Sequence, residues 1–274
     1  MSSELKAKTQ KLKEIFRSME RVLVAYSGGV DSTLLLKVAK DTLGDENVLA
    51  VTVFSPLYPE RELTGAKKLT QGMGVRHLLI KSNELEIEGF SKNPPNRCYY
   101  CKKELFEELQ KLAHKEKIPF IVEGSTLDDE RDYRPGKKAI QELGIRSPLK
   151  EVRFTKEEVR ELSDALGLTT WDKPSFACLA SRFPYGEEIT MEKLKMVDEA
   201  ENFLFGLGFK QVRVRHHGNL ARIEIYPEEI ERLMDKLLRE KVVSHLKKIG
   251  YHYVTVDLQG FRSGSMNEVL GGNL

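Results

Sequence analysis

The sequence predicts an α/β fold, a doubly wound parallel sheet, with a second, smaller α+β domain. Three observations support this prediction. Strand and helix patterns alternate through the first half, the first strand is a continuous apolar run, and the order of elements changes after about residue 180. The 274 residues suffice for two domains. We place them at residues 1–180 and 187–270, with a linker around residues 174–186.

The first half contains eight predicted elements. Helices are expected at residues 5–19, 32–43, 59–73 and 102–117, and strands at residues 21–26, 48–54, 75–80 and 119–123. Leu5, Leu12 and Phe16 form one apolar stripe of the first helix, and Gly44 ends the second. Because the strands alternate with helices, right-handed crossovers would cover both faces of a parallel sheet.

The second half follows a different order. A helix is predicted at residues 190–207, strands at 210–215 and 220–226, a long helix at 227–249 and a strand at 251–258. This α-β-β-α-β order is typical of a small α+β domain. His216 and His217 stand just before Gly218, and we interpret them as part of a surface turn.

Composition excludes several classes of protein. Lys and Arg number 44 against 42 Asp and Glu, and 40% of residues are hydrophobic, which is typical of a globular protein rather than a dedicated nucleic-acid binder. The apolar run at residues 48–54 is too short to span a bilayer, and no secretory signal opens the chain. Three cysteines cannot all pair, so we expect a cytoplasmic protein without a disulfide framework.

The segment Ser27-Gly28-Gly29-Val30-Asp31-Ser32 lies between the first predicted strand and helix. Its two glycines allow a tight turn and close approach of a ligand. The amides that follow can converge on an anion at the positive end of the helix. The segment lacks the Gly-Lys-Ser/Thr of a Walker loop and the third glycine of a dinucleotide fingerprint.

Ser-Gly-Gly-Val-Asp-Ser resembles the PP-loop of the N-type ATP pyrophosphatases, which split ATP between its α and β phosphates and attach AMP to a carbonyl or carboxylate oxygen. The resemblance implies ATP contacts at Ala25, Ser27, Gly28, Gly29, Val30, Asp31, Ser32, Phe54 and Gly124. Asp31, Asp128 and Asp129 are candidate Mg²⁺ ligands, since they are hard oxygen donors near phosphates. The alternative for Asp128 and Asp129 is an ordinary solvated or capping turn.

Three cysteines raise the question of a metal site. Cys98 and Cys101 form a Cys-x-x-Cys motif just before a predicted helix, and Cys178 falls in the linker. The motif alone is compatible with a redox pair or half a zinc site. Three thiolates can hold a [4Fe–4S] cluster with one open iron, and none of the six histidines stands at zinc-ligand spacing from them. Three unrelated cysteines are the alternative.

Two segments resemble motifs of the LarE family: Lys-Pro-Ser-Phe-Ala-Cys-Leu-Ala-Ser-Arg at 173–182 and the segment at 260–268. The resemblance to this family covers almost the whole chain. These enzymes are ATP-dependent sulfur transferases of nickel-pincer nucleotide biosynthesis. The resemblance implies a small-molecule substrate, pyridinium-3,5-biscarboxylic acid mononucleotide, whose carboxylate is adenylated and then thiolated. It also implies a homo-oligomer, a hexamer, with no stable nucleic-acid partner and no membrane partner. The sequence does not identify the sulfide donor.

The best-known LarE members carry only the cysteine that matches Cys178, and they sacrifice its sulfur. Cys98 and Cys101 are additional here, as in a three-cysteine branch thought to bind a [4Fe–4S] cluster. We favour Cys98, Cys101 and Cys178 as cluster ligands, with Cys178 at the catalytic centre and a cluster-bound sulfide as donor. Sacrifice of Cys178, a zinc site and the absence of any metal are the alternatives.

An anionic substrate predicts basic side chains near Cys178. Arg213 and Arg215 are two apart on a predicted strand, so they face the same side and suit a phosphate. A solvated strand face is the alternative. The further candidates for substrate binding, from their position or the resemblance, are Lys102, Ser181, Arg182 and Glu224, with Glu201 for a metal or substrate contact.

Three other functions share some of these features. Some PP-loop enzymes thiolate a tRNA base with a three-cysteine cluster, and others form amides with ammonia as the nucleophile. A module that binds ATP without catalysis is the third. Near-neutral charge and the end-to-end resemblance favour the sulfur transferase with a small substrate.

Overall fold

The structure is a computed structural model that describes residues 1–131 and 135–270. The chain divides into two compact units. One comprises Met1–Asn83 and Asn96–Phe176, and the other Glu84–Pro95 and Ala177–Leu274. The grouping of residues 84–95 with the second unit is not revealed by the sequence pattern. None of the described helices is long and apolar enough to cross a membrane.

The first unit contains a four-stranded parallel sheet in the order β3-β2-β1-β4. Its strands are β1 (Val22–Ala25), β2 (Val48–Phe54), β3 (Arg76–Lys81) and β4 (Phe120–Val122). Its helices are α1 (Ser3–Met19), α2 (Val30–Leu43), α3 (Glu60–Met73), α4 (Arg97–Lys115), α5 (Gly136–Glu142), α6 (Pro148–Glu151) and α7 (Lys156–Ala165). The predicted doubly wound fold is confirmed.

Both faces of this sheet are covered. Val22 and Val24 of β1 pack into one hydrophobic core with α1, α2 and α7, while Leu23 between them packs into another with α4. The strand is therefore apolar at every position, as its sequence predicted. Strand β1 lies between β2 and β4. Strands β2 and β3 are added on one side of β1 and β4 on the other, so the order of strand addition reverses beside β1. Open α/β sheets bind ligands at such a point.

Helix α4 begins earlier than predicted, at Arg97 rather than residue 102. The Cys-x-x-Cys motif thus lies inside the helix instead of before it. Packing against α5 explains the difference, because Tyr99 donates a 2.7 Å hydrogen bond to Glu142, and Gly136 lies against the carbonyl of Cys98. These contacts join residues far apart in sequence, so the local pattern could not predict them.

The second unit contains a three-stranded sheet in the order β5-β6-β7, with β5 and β6 antiparallel and β6 and β7 parallel. Its elements are α8 (Met191–Gly206), β5 (Val212–His217), β6 (Leu220–Ile225), α9 (Ile230–Leu233), α10 (Lys236–Ile249) and β7 (Tyr253–Val256). The predicted long helix at 227–249 is broken before Asp235. That side chain accepts a 3.0 Å hydrogen bond from the Leu238 amide and caps α10.

The predicted surface turn at His216 and His217 is wrong. Both residues belong to β5, and His216 is buried with its Nδ1 3.2 Å from the hydroxyl of Tyr251. Gly218, with φ of +58°, makes the turn that follows. Burial lowers the pKa of His216, and the carboxylate of Glu187 opposes that effect.

Candidate active site

The glycine-rich loop between β1 and α2 is built for close contact. Gly28 has φ of +72°, and a Cβ at this position would lie 3.0 Å from the Cβ of Ala66. Gly29 caps α2, whose first amides have no partner within the helix. The hydroxyls of Ser27 and Ser32 lie 3.0 Å apart, so a hydrogen bond joins the two ends of the loop. The loop therefore presents backbone donors at the positive end of a helix, which suits a phosphate.

Gly124, just after β4, packs directly against the start of α2. A Cβ on this residue would lie 3.0 Å from the amide nitrogen of Ser32 and 3.2 Å from the carbonyl carbon of Asp31. Both neighbours are backbone atoms, which cannot rotate away as a flexible side chain can. Gly124 thus holds the edge of the sheet against the phosphate loop.

Substituting Gly124→Ala should therefore displace the phosphate loop. Overpacking at a rigid contact costs about 1–3 kcal/mol, so we expect ATP to bind about 5-fold to 150-fold more weakly if the whole cost falls on the binding loop. Gly72→Ala is the control, because Gly72 lies in α3 with no atom within 4 Å of an added Cβ. Calorimetric titration with ATP measures the effect, and equal affinities of the two variants would contradict this role of Gly124.

The three candidate Mg²⁺ ligands have different surroundings. Asp129 accepts a 2.7 Å hydrogen bond from the Thr126 amide within a local turn. Asp128 accepts one of 2.7 Å from the amide of Lys156, the first residue of α7. Asp31 forms an ion pair with the Lys156 ammonium. Burial raises the pKa of Asp31, and Lys156 opposes that effect.

The Oδ1 atom of Asp31 is buried and has no hydrogen-bond partner among the described residues. A hard cation bound with the phosphates would supply one. Across residues 1–131 and 135–270, no three His, Cys, Asp or Glu side chains are grouped so as to hold a metal ion alone. A Mg²⁺ ion here would therefore need oxygens from a nucleotide as well.

A pocket of about 390 Å³ opens beside the loop. It is lined by the ends of β1 and β2 and by side chains of α3 and α4: Ala25, Tyr26, Ser27, Val51, Thr52, Val53, Phe54, Ser55, Tyr58, Glu60, Glu62, Leu63, Lys102, Leu105 and Leu109. Its lining of mainly apolar residues with a few hydroxyl and charged residues suits a nucleoside. Lys102, expected at the sulfur-accepting substrate, lines this pocket.

Cys98 and Cys101 lie one turn apart near the start of α4 and are half-buried. Residues at this spacing share one face of a helix, and the positive helix end favours thiolates. No disulfide is formed by any of the three cysteines. Two thiols so placed could bind neighbouring corners of one metal cluster, but no third His, Cys, Asp or Glu of the described chain is grouped with them as a further ligand.

Cys178, in the second unit, precedes a short 3₁₀ turn at Leu179–Arg182. The fully buried Arg182 donates hydrogen bonds of 2.7 and 3.1 Å to the carbonyls of Ala177 and Cys178. Its guanidinium also donates hydrogen bonds to both carboxylate oxygens of Glu201, at 2.8 and 2.9 Å. Arg182 was predicted to contact the substrate, yet it contacts the backbone that carries the thiol.

Arg213 and Arg215 are both 4% exposed, so a solvated strand face is excluded. Arg215 donates to Glu224 at 2.6 Å and to the Ser181 carbonyl at 2.9 Å. Its Nε is buried and has no hydrogen-bond partner among the described residues. The predicted residues Ser181, Arg215 and Glu224 are thus brought into contact.

The surroundings of Arg213 are strongly desolvated. Burial and the positive charges of Arg182 and Arg215 together lower the pKa of Arg213 to about 9, against the opposing effect of the carboxylates of Glu201 and Glu224. Arg213 remains cationic at neutral pH, because even this value lies well above 7. Additional negative charge, such as that of a phosphate, would stabilise this arrangement.

Ser265 belongs to the same cluster, although sequence reasoning gave it no role. Its hydroxyl accepts a 2.9 Å hydrogen bond from Arg215 and donates one of 3.2 Å to Glu224. The ring of Phe261 lies 5.3 Å from the guanidinium of Arg213. The motif at 260–268, used only for the resemblance, was the available signal that this segment serves the site.

Comparisons with known proteins agree with this description. The family model described as NAD synthase matches residues 4–93, which include the phosphate loop. An uncharacterized protein of Synechocystis sp. is 48% identical over 97% of this chain and 99% of its own. The pyridinium-3,5-bisthiocarboxylic acid mononucleotide synthase of Lactiplantibacillus plantarum is 41% identical over 97% of this chain and 96% of its own. The chain belongs to that synthase family, the LarE family.

Membership of the LarE family confirms the resemblance that the sequence motifs indicated and makes this chain an ATP-using enzyme. A GMP synthase of Aeropyrum pernix is 28% identical over 65% of this chain but only 38% of its own. The GMP synthase therefore matches only part of this chain, whereas the Lactiplantibacillus plantarum synthase matches nearly all of it.

Proposed function

We propose that this protein is an ATP-dependent sulfur transferase that converts a carboxylate of pyridinium-3,5-biscarboxylic acid mononucleotide into a thiocarboxylate for a nickel-pincer cofactor. The near full-length match to the Lactiplantibacillus plantarum synthase carries this proposal. Residues 1–180 would bind and split ATP, and residues 187–270 would bind the mononucleotide and assemble the oligomer, a cytoplasmic hexamer. Nucleic acid and membranes are not partners in this scheme.

The first step is adenylation. An oxygen of the substrate carboxylate bonds to the α phosphorus of ATP. The bond from that phosphorus to the oxygen bridging to the β phosphorus breaks, and the electron pair leaves with pyrophosphate. The loop amides and the start of α2 stabilise the phosphate charge. A Mg²⁺ ion held by Asp31 would supply further positive charge when bound, and the orphaned Oδ1 of Asp31 fits that role.

The second step transfers sulfur. A sulfur nucleophile bonds to the activated carboxyl carbon, the carbon–oxygen bond to AMP breaks, and AMP leaves. Cys98, Cys101 and Cys178 would hold a [4Fe–4S] cluster, whose open iron could carry the sulfide to be transferred. Cys98 and Cys101, which lie one turn apart on α4, have a spacing that suits two of these ligands. Sacrifice of Cys178 itself is the alternative source of the sulfur.

Arg213 and Arg215 would bind the phosphate of the mononucleotide, together with Ser181. The buried Nε of Arg215 and the desolvated charge of Arg213 support this assignment. Glu224 would fix the direction of Arg215 through their 2.6 Å contact. Arg182 would position Cys178 rather than touch the substrate.

The function is tested by incubating the anaerobically reconstituted protein with ATP and the biscarboxylate mononucleotide. We expect AMP, pyrophosphate and a thiocarboxylate product, each dependent on the mononucleotide. Pyrophosphate with tRNA as the only acceptor would favour the tRNA thiolase. An amide formed with ammonia after replacement of all three cysteines would favour the ligase. ATP binding without pyrophosphate release would leave only a nucleotide-binding module.

The cluster gives a prediction independent of activity. We expect anaerobically reconstituted protein to be brown, with about four irons per chain. Cys98→Ser and Cys101→Ser should each lower iron content by more than about half, since a cluster with two protein thiolates is poorly held. Tyr100→Phe, between the two cysteines, is the control and should keep its iron. Colourless reconstituted wild-type protein would contradict the assignment.

A further inference from the structure

The segment at residues 171–176 precedes Cys178 in the chain and is tied down within the first unit; we name it the strap. Arg160 of α7 donates hydrogen bonds of 2.6 Å to the Trp171 carbonyl and 2.9 Å to the Lys173 carbonyl. The guanidinium of Arg61 lies 5.7 Å from the ring of Phe176. Residues of α7 and α3 therefore contact the two ends of the strap and fix the position of the residues between them.

In the middle of the strap, Lys173 reaches the phosphate loop. Its ammonium lies 3.1 Å from the carbonyl oxygen of Gly28 and 2.8 Å from Oε2 of Glu62. The Gly28 carbonyl is part of the phosphate loop and directly precedes Gly29, which caps α2. It points away from the Gly29 amide, because the C=O and N–H of a trans peptide face opposite sides. Lys173 therefore holds a cation against the backbone of the loop that would receive an anion. The proposed function gives this lysine no role.

We propose that Lys173 is a catalytic residue that binds the triphosphate of ATP, exchanging the carboxylate of Glu62 for a phosphate oxygen when the nucleotide enters. This inference rests on the proposed function, since it concerns the same adenylation step. An ammonium with three donors can keep its bond to the Gly28 carbonyl while it turns toward the anion. Glu62 lines the nucleotide pocket and competes for the ammonium until ATP arrives.

The negative charge on the phosphates near Lys173 increases during the reaction. As the bond between the α phosphorus and the bridging oxygen breaks, its electron pair moves onto the departing pyrophosphate. A cation already held at the loop stabilises that charge without reorganisation. AMP lacks the β and γ phosphates, so Lys173 should matter for ATP and much less for AMP.

The test compares the affinities for ATP and AMP, measured by calorimetry, in wild-type protein and three variants. Lys173→Met should weaken ATP binding about tenfold or more, the value of one charge-assisted hydrogen bond, and leave AMP binding within about twofold. Glu62→Gln should tighten ATP binding a few-fold, because it removes the competing carboxylate. Lys8→Met is the matched control: Lys8 is a half-buried lysine paired with Glu158, and its loss should change neither affinity.

The outcomes separate this inference from the proposed function. Equal weakening of ATP and AMP in Lys173→Met would mean that Lys173 only anchors the strap, and it would overturn the inference. Unchanged ATP affinity in that variant would overturn it as well. Wild-type protein that forms no pyrophosphate with the mononucleotide would instead refute the proposed function. Circular dichroism spectra that match the wild type exclude misfolding as the cause of any loss.

Discussion

Arg182→Met should lower the free energy of unfolding by about 3–5 kcal/mol, because it leaves a buried carboxylate without its partner. Glu201 is fully buried. Burial alone would raise the pKa of Glu201, but Arg182 and the other donors around it hold that pKa below its ordinary value. Without Arg182 the pKa of Glu201 should rise above that of the unfolded chain. The loss should therefore be largest near neutral pH and shrink as pH falls toward the ordinary pKa of a glutamic acid.

Urea denaturation at two pH values measures this effect. The double variant Arg182→Met, Glu201→Leu is the control, because removing both charges avoids the unpaired carboxylate and should recover most of the stability. Both variants should lose sulfur transfer, since Arg182 also holds the carbonyls of Ala177 and Cys178. Full sulfur transfer in the double variant would contradict the positioning role of Arg182.

Cys178→Ser should lower formation of the thiocarboxylate at least about a hundredfold, because it removes the thiol at the centre of the sulfur-transfer step. Pyrophosphate release should persist within about threefold, since the phosphate loop and Cys178 belong to different units and different steps of the reaction. Parallel assays of thiocarboxylate and pyrophosphate measure the two effects. Undiminished thiolation in this variant would rule out both proposed roles of Cys178.

Mass spectrometry of the wild-type protein after one turnover separates the two sulfur sources. A cluster-bound sulfide leaves the polypeptide mass unchanged. Sacrifice of Cys178 removes the mass of H₂S and leaves dehydroalanine. We expect an unchanged mass, because Cys98 and Cys101 would have no function if Cys178 were consumed.

The sheet and its phosphate loop could be predicted because their signals are local. Strands β1, β2 and β4 are short, mainly apolar runs, and the two glycines stand directly between β1 and α2. Helix boundaries set by tertiary contacts could not be predicted in this way. Helix α4 extends to Arg97 because α5 packs against its first turns, and α5 itself is a short helix of weak periodicity.

The electrostatics of the candidate site were less accessible to sequence reasoning. Arg182 and Arg215 look alike in sequence, as basic residues near Cys178. Only the fold shows that each is paired with a buried carboxylate, Arg182 with Glu201 and Arg215 with Glu224. Of these two arginines, only Arg215 keeps a buried Nε without a hydrogen-bond partner in the described chain. Lys173 had no assigned role because its neighbours, Gly28 and Glu62, lie more than a hundred residues away.

In the proposed reaction, ATP activates a substrate carboxylate before sulfur arrives. Mononucleotide labelled with oxygen-18 in both carboxyl groups reveals whether this activation takes place. If the carboxylate attacks the α phosphorus, one labelled oxygen must leave with AMP for each thiocarboxylate formed, and mass spectrometry of the AMP should show it. Thiocarboxylate accompanied by unlabelled AMP, or by ADP, would contradict adenylation.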